Sequence, residues 1–159
     1  MRKRSKGFSL IELLIVVAII GILAAILVPN LLMAIHKGRQ KSTLADMHSI
    51  VTGLEAYATD YDRYPNTSQI TALTTILVPF YMKSVKTKDA WGHDFTYLVD
   101  GNADHYWLWS TGKDSDCGDA HACDTGVTTP IIYEPATQLS DFDKELCYSD
   151  GILMVGPKR

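Results

Sequence analysis

Four aspartates lie close together in the C-terminal half of this 159-residue chain, within the sequence STGKDSDCGDAHACDTG. Hard cations such as calcium take about six to eight oxygen ligands, which come from carboxylates and from the backbone carbonyls of flexible, glycine-containing turns. The sequence lacks the glutamate that completes an EF-hand loop, so this is not an EF-hand. The pattern favours a calcium site, and the alternative is a solvated acidic loop. The candidate ligands are Asp114, Asp116, Asp119 and Asp124.

A single carboxylate, Glu12, lies inside a long apolar run, and the next ionisable side chain along the sequence is His36. A charge inside a membrane-length apolar segment costs about 2.5 to 3.5 kcal/mol on insertion scales, so such a group is interpreted as functional. A plain single-pass anchor would fit the length of the run but would leave Glu12 unexplained.

No catalytic apparatus is evident in the sequence, which contains no G-x-S-x-G, no H-E-x-x-H and no phosphate-cradling glycine loop. Cys123, with His121 close by in sequence, could act as a nucleophile, but exported thiols more often oxidise. We therefore predict that the chain is not an enzyme. A membrane-anchored enzyme is the out-of-class alternative, and its activity would tolerate the loss of Glu12.

The first elements along the chain are a leader and a membrane helix. Residues 1–7 carry four basic side chains, which the positive-inside tendency keeps in the cytoplasm. Residues 8–35 are long and apolar enough to cross a hydrocarbon core of about 30 Å. Gly21 and Pro29 should weaken or kink this helix, because glycine has low helix propensity and proline removes a backbone donor.

Residues 36–64 are predicted to continue the helix in amphipathic form, with Pro65 ending it. Apolar side chains recur at steps of three and four and form a stripe that the rest of the chain should cover. The stripe consists of Leu44, Met47, Val51, Leu54, Ala58 and Tyr61. The predicted solvated face holds Lys41, Asp46, His48, Ser49 and Glu55.

Residues 65–159 are predicted to form a globular domain, which gives an α+β fold class. A short helix or an irregular segment is expected at 70–77. Two aromatic and β-branched segments, 95–99 and 105–110, flank a turn of the sequence DGN. A third strand is expected at 151–155. The prediction is an antiparallel sheet of three or four strands packed on the helical stripe.

The charge balance argues against a nucleic-acid partner. The whole chain has 15 basic and 18 acidic residues and a net charge of −3. Removal of the four basic groups of the leader leaves 11 basic and 18 acidic residues, a net charge of −7. Outside the leader no basic run suggests nucleic-acid binding.

Residues 6–29, KGFSLIELLIVVAIIGILAAILVP, resemble the type IV prepilin family, whose signature is G-F-[ST]-L-I-E-L-L followed by an apolar helix. The resemblance implies that a membrane-bound prepilin peptidase cuts after Gly7 and methylates the new amine of Phe8. It also implies that Glu12 is the assembly residue of a filament.

The resemblance suggests an electrostatic role for that carboxylate. After cleavage the Phe8 amine would be a cation at a helix N-terminus, and in a helical filament it could lie near Glu12 of a neighbouring subunit. The cost of desolvating both charges offsets much of their attraction, so the pair would chiefly set the register between neighbouring subunits. In assembled pilins that this chain resembles, the segment between a glycine and a proline, here Gly21 and Pro29, loses its helical structure.

Three further segments, GLEAYATDYDRYPNTSQITAL, YMKSVKTKDAWGHDFTYLV and YWLWSTGKDSD, are similar to the major pseudopilin family of type II secretion. That family shows D-P-W-G-x-P-[YF]-x-Y and Y-x-L-x-S-x-G-x-D-G, and here Ala90 and Asp94 replace the two prolines of the first motif. The resemblance implies calcium in the acidic loop, with Asp114 carried over from the motif. The other matching positions are Asp89, Trp91, Gly92, Phe95, Tyr97, Ser110 and Gly112.

Three cysteines fall in the predicted exported part, where disulfides persist. One bridge is possible, with one thiol left over. Cys117 with Cys123 would staple the acidic loop, whereas Cys123 with Cys147 would close the C-terminal segment, as in many type IV pilins. The pseudopilins that the chain resembles generally lack such cysteines. A zinc site at Cys117, His121 and Cys123 is disfavoured because the spacing fits no standard finger.

The combined interpretation is a pilin fold, a hydrophobic stalk packed on a small antiparallel sheet. The resemblance implies the major pseudopilin of a type II secretion system, with a surface type IV pilus for adhesion or motility as the alternative. Its implied partners are the prepilin peptidase and methylase, further copies of the chain, minor pseudopilins and the inner-membrane assembly platform. The implied location is the inner membrane with the globular domain in the periplasm.

Overall fold

The computed structural model describes residues 7–113, 115 and 146–155. The chain divides into two compact units, Met1–Ile35 and His36–Arg159. Two helices are present in the described residues, α1 over Leu10–Tyr61 and α2 over Ile70–Leu77. The strands are β1 (Thr96–Val99), β2 (Tyr106–Ser110), β3 (Leu146–Ser149) and β4 (Ile152–Val155). The predicted α+β class, with one long apolar N-terminal helix and a small antiparallel sheet, is confirmed.

The core of the second unit forms between one face of α1, one face of α2 and one face of the sheet. Apolar positions of α1 recur at helical spacing, and the face that they share is covered in this unit. The prediction of the stripe was wrong at its C-terminal end, because Tyr61 is 55% exposed. It also missed Ile50, which is buried. The buried residues of α1 are Gln40, Thr43, Met47, Ile50, Val51, Gly53 and Leu54.

The sheet has the order β1-β2-β3-β4, and every neighbouring pair is antiparallel. The register places Leu108 of β2 opposite Tyr97 of β1 and Tyr148 of β3. All three side chains belong to the core. Because residues directly opposite in a sheet share a face, this row is the one that packs on the helices.

Strand β3 was not predicted, although its connection to β4 has a recognisable signal. Asp150 and Gly151 have φ values of +48° and +79°, and Ser149 pairs with Ile152 on either side of them. Positive φ at both central residues is the geometry of a two-residue hairpin turn, for which Asp-Gly is a preferred sequence. The dipeptide therefore joins two strands, where the sequence analysis assigned only the one that follows it.

Candidate functional site

The predicted processing site lies immediately ahead of α1. Gly7 and Phe8 precede the helix, both are exposed, and Phe8 is 74% exposed. A Cβ built on Gly7 would have no neighbour within 4 Å. Among the described residues of the first unit, none covers the peptide bond that the family signature marks for cleavage.

Glu12 lies in the first turn of α1, where its carboxylate caps the start of the helix. Its Oε2 accepts a hydrogen bond from the backbone N–H of Ser9 at 3.2 Å, and the Ser9 carbonyl accepts the N–H of Leu13 at 3.3 Å. A glutamate that reaches back to the backbone of the N-cap residue is one half of a capping box, S-x-x-E. This second role was not predicted, although the spacing from Ser9 to Glu12 is its signal.

The first unit presents apolar side chains around the whole circumference of its helix. Large hydrophobic residues are exposed from Phe8 to Ile35, and α1 is long and apolar enough in composition to cross a membrane. A helix that is hydrophobic on every side is stable only in lipid or among other apolar helices. This surface suits both a bilayer and the interior of a filament.

The predicted weak points of α1, Gly21 and Pro29, both lie within unbroken helix. Pro29 cannot donate to the carbonyl four residues earlier. The next residue, Asn30, donates its side-chain amide to the carbonyl of Ile26 at 3.2 Å, which adds a polar link next to the backbone hydrogen bond that Pro29 cannot form. The loss of helical structure on assembly stays a prediction.

In the second unit, Asp89 organises the loop that precedes β1. Its side chain is completely buried, and its Oδ1 accepts the backbone N–H groups of Trp91 and His93, each at 2.9 Å. The Asp89 N–H donates to the His93 carbonyl at 2.8 Å. A carboxylate that accepts several local backbone donors holds a tight turn. The motif residue Asp89 is thus the structural centre of the W-G turn.

The same carboxylate connects this loop to the end of β2. Ser110 Oγ donates to Asp89 Oδ2 at 2.7 Å, and the N–H of Gly112 donates to Ser110 Oγ at 3.3 Å. His93 Nδ1 lies 2.8 Å from the carbonyl of Gly112. Gly112 has a φ of +74°, a conformation that glycine adopts without strain. Two motifs that are separate in sequence therefore join at the position where the acidic segment begins.

The predicted calcium ligands Asp114, Asp116, Asp119 and Asp124 lie outside the described residues, as do two of the cysteines, Cys117 and Cys123. The third, Cys147, is fully buried in β3. Its Sγ lies 3.7 Å from the carbonyl oxygen of Tyr148. Among the residues that the structure describes, no group of three or more His, Cys, Asp or Glu side chains could hold a metal ion.

Glu55 was predicted to be a solvated position of α1, and this prediction was wrong. Its carboxylate accepts hydrogen bonds at 3.2 Å from the hydroxyls of Tyr64 and Tyr106, and the Tyr106 hydroxyl accepts the N–H of Gly151 at 2.9 Å. Burial, with the nearby Glu55 carboxylate, raises the pKa of Tyr64 to about 12, and burial also raises the pKa of Tyr106. The cluster ties α1 to the β3–β4 turn.

Comparison with known proteins places these features in a family. A family model described as type II secretion system (T2SS), protein G, matches residues 30–127, and one described as the prokaryotic N-terminal methylation motif matches residues 2–28. The chain belongs to the type II secretion system protein G family.

Individual relatives agree with this assignment. The type II secretion system core protein G of Vibrio cholerae serotype O1 is 35% identical, over 74% of this chain and 86% of the relative. The core protein G of Pseudomonas aeruginosa is 32% identical over 74% and 89%, and that of Escherichia coli K12 is 31% identical over 72% and 86%. No solved structure matches the chain significantly.

Membership of the protein G family decides between the alternatives of the sequence analysis. The chain is the major pseudopilin of a type II secretion system, a structural subunit and not an enzyme. Its apolar helix is anchored in the inner membrane and its globular domain is periplasmic. The methylation motif implies processing by a prepilin peptidase and assembly into a pseudopilus.

Proposed function

We propose that cleavage after Gly7 exposes the amine of Phe8, and that the processed chain then polymerises with further copies of itself into a helical pseudopilus. Minor pseudopilins and an inner-membrane assembly platform would be its further partners. The exposed apolar surface of α1 supports this proposal, because in a filament the same side chains that face lipid can pack against those of neighbouring subunits.

In this proposal the Glu12 carboxylate exchanges one partner for another. In the single chain it accepts the N–H of Ser9, and in the filament it would face the Phe8 amine of a neighbour. Opposite charges attract strongly in a dry environment, but both must first lose their water. A subunit placed out of register would leave a buried charge without a partner, so the pair selects the correct register.

Two substitutions separate the capping role from the charge-pairing role. Glu12→Gln keeps a side chain that can complete a capping box but removes the charge, whereas Glu12→Ala removes both. We expect both variants to insert into the membrane and both to yield few filaments, measured by alkaline extraction of membranes and by sedimentation of cross-linked multimers. Normal filament yield from Glu12→Gln would assign the residue to capping alone and refute charge pairing.

Calcium binding by the acidic segment is a second part of the proposal. Four carboxylates in residues 114–124 supply hard oxygen donors of the kind that calcium prefers. The hydrogen bonds of Ser110 and Gly112, directly before this segment, support calcium binding, because a metal site needs ligands held on a fixed frame. We expect chelation with EGTA to lower the melting temperature of the fragment 36–159, and calcium but not magnesium to restore it. An unchanged melting temperature would refute the metal site.

The secretory role is tested by comparing the culture-supernatant proteins of the wild type with those of a strain that lacks this gene. We expect selective loss of several signal-bearing exoproteins, with the same proteins accumulating in the periplasm. Restoration by the wild-type gene, but not by the Glu12→Gln gene, would connect secretion to assembly. An unchanged set of secreted proteins would contradict the proposal.

A further inference from the structure

Three cationic side chains follow the apolar segment of α1 directly. Lys37, Arg39 and Lys41 are all exposed, and none of them forms an ion pair or a side-chain hydrogen bond with another residue of the part that the structure describes. Two lysines elsewhere in the same unit behave differently, because Lys86 lies 2.8 Å from Asp46 and Lys88 lies 3.3 Å from Asp94. Within the described part of the chain, the three cations on α1 therefore have no carboxylate partner.

Their position along α1 corresponds to the outer surface of a bilayer. An α-helix rises about 1.5 Å per residue, so the apolar segment 10–35 by itself is about 39 Å long, and Lys37 to Lys41 follow it directly in the sequence. A bilayer with its headgroups is about 40–45 Å thick. No Asp or Glu lies between Glu12 and Asp46, so no carboxylate of this segment competes for the three cations.

The placement runs against the usual charge bias of membrane proteins. Basic residues close to a membrane segment favour the cytoplasmic side, yet these three follow the segment on its periplasmic side. The unit His36–Arg159 has 11 basic and 17 acidic residues, a net charge of −6, which would repel an anionic surface. An attraction to such a surface must therefore be local.

We propose that Lys37, Arg39 and Lys41 bind the phosphate groups of anionic phospholipids in the outer leaflet of the inner membrane. We call these three residues the cationic collar. Lys37 and Lys41 are four residues apart and share a helix face, while Arg39 lies on the other side, so the collar contacts lipid from two directions. Long basic side chains reach headgroups while their stems lie along apolar surface. The collar sets the depth of the subunit in the membrane before it enters the filament.

The test measures the lipid preference of the full processed chain, reconstituted in phosphatidylcholine vesicles that contain about one quarter phosphatidylglycerol. Electron spin resonance gives the association of spin-labelled phosphatidylglycerol relative to spin-labelled phosphatidylcholine. A cation at an anionic surface contributes about a fivefold preference, so we expect a preference of at least about fivefold for lipid at the collar. The triple variant Lys37→Gln, Arg39→Gln and Lys41→Gln should lower it to near one, and about 0.5 M salt should weaken it in the wild type.

The matched control removes two lysines and one arginine elsewhere, as Arg63→Gln, Lys83→Gln and Lys88→Gln, all at exposed positions. This control should keep the wild-type preference, and so should the charge-conserving variant Lys37→Arg, Arg39→Lys and Lys41→Arg. An unchanged preference in the collar variant would overturn the proposal. So would an equal loss in the control, or a collar variant that keeps its lipid preference but no longer forms filaments, which would assign the collar to another copy of the chain.

Discussion

Replacement of Asp89 by alanine should destabilise the periplasmic unit more than any other single change in the loop before β1. The carboxylate is fully buried and accepts the N–H groups of Trp91 and His93 and the hydroxyl of Ser110. Each buried donor left without an acceptor costs about 1 to 3 kcal/mol. The loss of three acceptor contacts should lower the free energy of unfolding by about 3 to 4 kcal/mol, since two of the donors are only partly buried.

A series of variants tests that reasoning atom by atom. Asp89→Asn keeps an oxygen for the two backbone donors, and the Ser110 hydroxyl can rotate to accept from the new amide, so a loss of about 1 kcal/mol is expected. Ser110→Ala leaves one Asp89 oxygen and the Gly112 N–H without a partner and should cost about 2 kcal/mol. The control, Asp94→Ala, removes an exposed carboxylate from the same loop and should change stability by about 0.5 kcal/mol or less.

The assay is urea unfolding of the fragment 36–159, followed by the fluorescence of its tryptophans, of which Trp109 is buried. The unfolding midpoints should shift, while the slope of the unfolding free energy against urea concentration stays constant, because the surface exposed on unfolding does not change. If Asp89→Ala is no more destabilising than Asp94→Ala, the carboxylate does not hold the turn. If Asp89→Asn is as destabilising as Asp89→Ala, the charge matters more than the acceptor geometry.

Two further predictions concern the β3–β4 turn. Gly151→Ala should cost about 1 to 2 kcal/mol of unfolding free energy, because φ is +79° there and the new Cβ would lie 3.2 Å from Glu55 Oε1; Gly101→Ala, which meets open space, should be nearly neutral in the same urea titration. The Asp150 carboxylate, 3.0 Å from His105 Nδ1, raises the pKa of His105. The stabilisation of the fold by this pair is therefore complete below pH 6.5 and declines as the pH rises through the folded-state pKa of His105. Asp150→Asn should abolish this pH dependence of stability, and its persistence in the variant would refute the pairing.

The N-terminal features were predictable because they depend on local chemistry. A membrane-length apolar run, a single carboxylate at Glu12 and a basic leader are all visible in the sequence, and each has the same physical meaning in any fold. For 70–77 the sequence allowed a short helix or an irregular segment, and the structure has the helix α2 there. Its apolar positions, Ile70, Leu73 and Leu77, recur at helical spacing and are buried.

The errors arose where a residue's role depends on distant parts of the chain. Glu55 was assigned to the solvated face because it is charged and lies outside the apolar stripe, yet Tyr64 and Tyr106 bring their hydroxyls to it. Strand β3 has only four residues, too few to show a clear period by themselves. Tyr61 continues the helical spacing, but it is the last residue of α1 and is 55% exposed.

The membrane helix, the processing signature and the class of fold could be predicted from the residues alone, because hydrophobic length, charge and periodicity act between residues that are near in the chain. The role of Asp89, in contrast, depends on tertiary packing. One of its carboxylate oxygens accepts hydrogen bonds from its own turn, and the other accepts one from Ser110. Ser110 is so far along the chain that no local sequence pattern predicts this contact. A buried carboxylate must find its donors wherever the fold brings them, and that meeting is a property of the packed chain alone.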